Sequence, residues 1–154
     1  MVKNIYLTCA TCTGFFIDII MLIKEITAAE TWHVRQKVMW PEKPVEFIQI
    51  DGDDKAVHYG LYTGELLVSV VSCFTEKDTM QFRKFATVQE FQGKGFGTVL
   101  LNFVIQGAKI KGIKKIWCNA RTDKKGFYEK FGLSDTKRGF ITSGIVFSIM
   151  EIKF

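Results

Sequence analysis

With 154 residues, 47% hydrophobic and 14% aromatic, the chain can bury one substantial core and is too apolar to be disordered. Its net charge of +5 suits an anionic ligand. The lysines are spread along the chain, so a nucleic-acid-binding arm is not expected. A single C-x-x-C (Cys9, Cys12) and two histidines at no ligand spacing (His33, His58) fall short of a zinc site, so no metal is expected either.

The first 20 residues contain the apolar run Phe15-Phe16-Ile17-Asp18-Ile19-Ile20, which Asp18 interrupts and which is too short to span a bilayer. Lys3 before a weak apolar stretch makes a poor signal peptide. The reading is therefore cytoplasmic, with no membrane partner. Residues 27–37 read as a helix, with Thr27 and Glu30 spaced as a capping box and Trp40-Pro41 ending it. Residues 41–55 form a polar connection in which Asp51-Gly52-Asp53-Asp54 lacks the calcium-loop spacing and reads as a turn.

Residues 57–62 and 65–74 read as strands joined through Thr63-Gly64, the second apolar on both faces and so central. Residues 79–88 form a third strand whose alternation slips near Arg83-Lys84, as a β-bulge would make it. The clearest helix is 97–111, with Leu100, Phe103, Val104, Gly107 and Ala108 on one face, Ile110 beside it, and Gly112 as the stop. A short strand at 114–119 precedes a helix at 123–131, capped by Thr122 or Asp123 and stopped by Gly132. Residues 139–152 read as two strands broken at Thr142-Ser143-Gly144. A hairpin-rich first half followed by βαβαβ is a mixed α/β plan around one sheet.

The chemistry concentrates in Gln92-Gly93-Lys94-Gly95-Phe96-Gly97, between a strand and the clearest helix. Alternate glycines let a large anion approach the backbone, where N–H groups and the helix dipole would meet it. The spacing is not that of a P-loop, which needs a glycine five residues before Gly93. Nor is it the dinucleotide fingerprint, because Thr98 stands where the third glycine belongs. The pattern Q-x-x-G-x-G resembles the acetyl-CoA pyrophosphate loop of the GCN5-related N-acetyltransferases (GNATs). The competing reading is a glycine-rich turn with no ligand.

A second stretch, Gly126-Phe127-Tyr128-Glu129-Lys130-Phe131-Gly132-Leu133, resembles that family's A-x-x-F-Y-x-K-x-G-F run. Lys124 stands where alanine is usual and Leu133 replaces the last phenylalanine. A third stretch, Thr31 to Arg35 through Trp40-Pro41, resembles the first helix of one bacterial subgroup. Together they cover 21–154.

The resemblance implies one α/β (α+β) domain with a mixed, mostly antiparallel central sheet flanked by helices, its fourth and fifth strands splayed. Met21-Leu22-Ile23-Lys24-Glu25-Ile26 looks like that domain's first strand. Residues 1–20 are then an appendage, of the kind an upstream start would add, and 21–154 the domain. The implied activity is direct acetyl transfer from acetyl-CoA to a primary amine.

In that family's terms the cofactor arm lies along the splayed strand near Ala86 and Val88. Its pyrophosphate lies on amides of Gln92, Gly93, Lys94, Gly95, Phe96, Gly97 and Thr98, and Asn119 holds the arm from the next strand. Tyr128 is the general acid. By position alone, Trp32, Arg35 and Trp40 face the acceptor. No base stands out: His33, His58, Glu76, Asp78 and a water chain are all candidates. Dimers are common in the family. The alternatives are a catalytically silent acyl-CoA-binding regulatory module and a charge-driven nucleic-acid-binding domain.

Overall fold

The structure is a computed structural model, and it describes residues 2–10 and 16–154. Cys12 and Phe15 lie outside the described residues. In chain order the elements are β1 (Val2–Ala10), β2 (Phe16–Ile26), α1 (Ala28–Met39), β3 (Val57–Thr63), β4 (Leu66–Glu76), β5 (Thr79–Thr87), α2 (Phe96–Ile110), β6 (Lys115–Arg121), α3 (Lys125–Glu129), β7 (Ser134–Thr142) and β8 (Ile145–Lys153). Short 3-10 turns punctuate the connections. The fold is a mixed, mostly antiparallel sheet with helices.

Two compact units can be recognised, Met1–Ser72 with Lys84–Leu101 and Cys73–Arg83 with Asn102–Phe154. In the first, hydrogen-bonded neighbours run β1-β2-β3-β4-β5. The first half of β4, the second half of β5 and the opening of α2 belong to it. β1 and β2 pair antiparallel from Val2↔Lys24 to Ala10↔Phe16, and β2 and β3 from Met21↔Thr63 to Ile26↔His58. The strand expected at 21–26 is thus the end of an eleven-residue strand. The sequence reading began that strand at Met21, but the backbone of residues 16–20, Asp18 included, is already paired with β1.

Helix α1 starts as its sequence dictates. Thr27 Oγ1 accepts from the Glu30 N–H at 3.3 Å, and the Glu30 carboxylate accepts from the Thr27 N–H at 2.7 Å. These bonds hold the Glu30 carboxyl below its ordinary range. Val34 packs into a core with Ile26, Val70, Ala86 and Val88, while Val38, Met39, Tyr62, Leu67 and Phe91 close around it.

In the second unit the order is β4-β5-β6-β8-β7. β5 and β6 pair in parallel at Thr79↔Lys115, Met80↔Ile116 and Gln81↔Trp117. Both strands outrun this ladder, to Thr87 and to Arg121. Lys84 takes a left-handed φ of 52°, which puts an irregularity where the bulge was expected. The buried positions nevertheless keep one parity through it, at Met80, Phe82 and Ala86.

Helix α2 buries Leu100, Leu101, Val104, Ile105 and Ala108. Its stripe is turned slightly from the expected one, and Ile110 is 86% exposed because it closes the last turn on the solvent side. The helix expected at 123–131 is a 3-10 turn at Thr122–Lys124 followed by the five residues of α3. β7 begins at Ser134, earlier than expected, and its register with β8 shifts between Asp135 and Gly139. The β7–β8 turn is Ser143-Gly144, both left-handed, which matches the twist of a tight hairpin.

Candidate active site

The glycine loop follows β5 through a short 3-10 turn at Gln89–Phe91. The Gln92 side-chain amide donates to the Thr87 carbonyl at 2.8 Å and so ties the loop back to the end of its strand. Gly93 and Gly95 have φ of 72° and 87°, and a Cβ at either would meet nothing within 4 Å. The backbone therefore needs glycine for its conformation, and open space lies over it. At Gly97 the constraint is different. A Cβ there would sit 3.0 Å from Thr87 Oγ1 and 3.1 Å from Phe85, so glycine allows α2 to open against β5.

The Val99 N–H donates to the Gly95 carbonyl at 3.0 Å, which makes Gly95 the N-cap of α2. Glycine has no side chain with which to cap. The amides of Phe96, Gly97 and Thr98 therefore point out of the helix without an intrahelical acceptor, at the positive end of its dipole. Phe96 is buried and packs edge-on to Phe91 at 5.3 Å, which anchors the turn, while Lys94 is exposed.

Along β5, Ala86 and Val88 do not present their main chain outward. The Val88 N–H donates to the Val68 carbonyl at 2.9 Å, and the Ala86 carbonyl accepts from Ser69 Oγ at 3.0 Å. Both side chains are buried. Alternation along an antiparallel ladder turns the backbone of the intervening Thr87 the other way.

Arg35 is also placed otherwise than expected. It is fully buried, and its guanidinium forks onto Asp53 at 2.6 and 2.9 Å and donates to Ser72 Oγ at 2.5 Å. His58 closes the circuit, with Nδ1 2.7 Å from Ser72 Oγ and Nε2 2.7 Å from the Asp53 carbonyl. Arginine only donates, so Ser72 Oγ accepts from it; the Asp53 carbonyl only accepts, so His58 donates to it from Nε2 and takes the Ser72 hydroxyl's hydrogen bond at Nδ1. With both nitrogens engaged and 3% exposure, His58 is not placed to deprotonate a substrate.

Burial works to raise the Asp53 pKa, but the Arg35 hydrogen bonds and charge, with the Ile50 N–H, hold it below the ordinary carboxylate range. Sequence reasoning missed Asp53, Ser72 and His58 as a set. The only signal was a charged residue on the apolar side of α1.

Trp32 is half-buried, and its indole N–H has no partner among the described residues. Trp40 packs edge-on to Phe47 at 5.4 Å, and Phe47 is half-exposed. His33 is exposed.

In the second unit, Asn119 is exposed on β6 opposite Ile149. Tyr128 packs against Phe127 at 5.2 Å and Phe82 at 5.9 Å. Burial, with a smaller contribution from the neighbouring Cys118, pushes its hydroxyl pKa well above 10. The thiols of Cys73 and Cys118 are buried and pushed up to about 12, which makes them inert. Glu76 and Asp78 line an open cleft of about 370 Å³ with Phe74, Gln81 and Trp117. Asp78 there pairs with Lys114 at 3.5 Å. Among the described residues, no group of three His, Cys, Asp or Glu is placed to hold a metal, and no helix is long and apolar enough to cross a membrane.

Residues 24–154 match the acetyltransferase (GNAT) domain model. The chain is 25% identical over 132 residues to the uncharacterized N-acetyltransferase YitI of Bacillus subtilis strain 168, covering 80% of this chain and 89% of that one. Among solved structures, the ribosomal-protein-S18-alanine N-acetyltransferase from Escherichia coli aligns with a TM-score of 0.73 at 16% identity, over 86% of this chain and 93% of that one. A GNAT family acetyltransferase from Elizabethkingia anophelis with acetyl-CoA bound aligns with a TM-score of 0.66 at 20% identity, over 87% and 98%. At these identities the structures speak for the fold, and the family model, spanning most of the chain, speaks for descent: this chain belongs to the GNAT acetyltransferase family.

Proposed function

We propose that the protein transfers an acetyl group from acetyl-CoA directly to a primary amine. The observation that carries this reading is the loop with left-handed glycines at 93 and 95, open above them and continued by three amides at a helix start that no side chain caps. A pyrophosphate supplies the oxygens those amides lack, and Lys94 adds a positive charge beside them. Gln92 acts by holding the loop to Thr87. The cofactor arm takes its main-chain hydrogen bonds from the outward N–H of Thr87, in the manner of an added strand. Asn119 on β6 serves the same arm.

Acetyl-CoA supplies the thioester. The amine nitrogen attacks its carbonyl carbon, a C–N bond forms, and the C–S bond breaks as the tetrahedral intermediate collapses. Tyr128 meets the departing sulfur with an O–H donor. A hydroxyl raised above 10 is a weak acid beside a thiol of about 8.5, so transfer to a resting thiolate is uphill. Its hydrogen bond strengthens only as charge grows on sulfur, which is when stabilisation accelerates the step. The proton finally carried by the thiol is balanced by the one shed from the attacking nitrogen. The acceptor meets Trp40 and Phe47, and Trp32 lines the same helix.

The test is thiol release from acetyl-CoA across a panel of amines. The expected result is release that needs an amine and falls at least tenfold in Tyr128→Phe, with cofactor affinity retained. Cofactor binding without release for any amine would favour a silent acyl-CoA-binding module instead.

A further inference from the structure

The Arg35 circuit joins four elements in the first unit. Arg35 comes from α1, Asp53 from the 3-10 turn at Asp53–Lys55, His58 from β3 and Ser72 from β4. Asp53 also organises its own turn. Its N–H donates to the Ile50 carbonyl at 3.0 Å, and its Oδ2 accepts from the Ile50 N–H at 3.4 Å. The far end of the connection is tied separately, by the Gln36 side-chain amide to the Lys43 carbonyl at 2.7 Å. Between the two ties the chain buries Ile48 completely and sets Phe47 edge-on against Trp40 at the end of α1.

A buried ion pair is weak grounds for stability, because desolvation offsets its attraction and apolar residues can replace it at little cost. Here the Arg35 Nε is buried without a partner among the described residues, an added cost. What the circuit supplies and apolar packing cannot is direction. The forked pair fixes the plane of the guanidinium, and the Ser72–His58 leg fixes its rotation.

We propose that Arg35, Asp53, Ser72 and His58 form a clamp that fixes the 41–55 connection, and with it the Phe47 that packs on Trp40, against β4. They act as positioning residues that never touch the acceptor. Calling this the acceptor side rests on the acetyltransferase reading.

The test is amide hydrogen exchange in the full chain for Arg35→Lys and Asp53→Asn, with acetyl-CoA thermal shifts measured alongside. Amides at 43–56, which the turns hydrogen-bond, should exchange at least tenfold faster in both variants. Those of α2 should keep their rate, and each variant should keep its acetyl-CoA shift. Arg35→Lys is informative because it retains the charge and loses only the fork. Should either variant fail to fold, Ser72→Ala opens the circuit by removing one oxygen and is expected to show the same local increase. Unchanged exchange at 43–56 would overturn the clamp, and so would an increase spread equally over α2 and β8. The absence of an acetyl-CoA shift in the unaltered protein would instead remove the acetyltransferase reading, with the exchange result standing by itself.

Discussion

The glycine loop and the Arg35 circuit lie in the same unit and handle hydrogen bonds in opposite ways. At the loop, donors are left over. Gly95 caps α2 without a side chain, and a Cβ at Gly93 or Gly95 would meet nothing. At the circuit nearly every polar atom has a partner, and the residues supplying them lie up to 37 positions apart. A surface built to receive an anion keeps its donors unpaired, while a device built to hold a segment in place closes on itself. The contrast also separates two functional roles that the sequence placed together, since Arg35 had been grouped with residues facing the acceptor.

The comparison breaks most visibly if the circuit is cut. Arg35→Leu leaves Asp53 charged and buried, which should cost about 3–5 kcal/mol and lower Tm by roughly 10 °C or more in calorimetry. The same cut at the loop, Gln92→Ala, should leave Tm nearly unchanged. A fall of under 2 °C in Arg35→Leu would mean the circuit holds nothing, by the same conversion.

Protonation tests the circuit another way. The folded pKa of Asp53 lies below its unfolded value, so its contribution is present above about pH 4 and is lost as pH falls through the folded pKa. Between about pH 5 and pH 3 the native protein should lose stability more steeply than Asp53→Asn, as read from Tm against pH. Parallel curves would contradict this.

Smaller effects sharpen the contrast. Gln92→Ala removes the bond to the Thr87 carbonyl and should weaken acetyl-CoA binding by about 1 kcal/mol, roughly fivefold in calorimetric titration. Thr27→Ala removes the capping box at the start of α1 and should cost about 1 kcal/mol of stability with no change in cofactor affinity. A change in affinity there would couple α1 to the loop.

How much could be read beforehand follows the same division. The loop, the capping box and the amphipathic α2 are written in contiguous residues at fixed periods, and the sequence displayed them. β5 was legible in part: the irregularity at Lys84 was expected from the slipped alternation, but the buried positions keep one parity through it, at Met80, Phe82 and Ala86. The Val88 N–H and the Ala86 carbonyl are taken up by Val68 and Ser69, pairings that the sequence does not display. The circuit was invisible for a different reason. Asp53 looked like one acid in a turn and His58 like a lone histidine, and only tertiary pairing joins them to Arg35. Strand β1 was missed because its evidence is a backbone ladder with β2, which periodicity does not encode.

The most direct measurement is the thermal shift produced by acetyl-CoA in the native protein and in Gly95→Glu, which places a carboxylate where the loop is open. At a hundredfold excess over the dissociation constant, binding to the native protein should add about 2.7 kcal/mol, on the order of 5–10 °C, and the variant should show no shift. An equal shift in both would place the cofactor elsewhere. No shift in the native protein would reduce the loop to a turn and contradict the account.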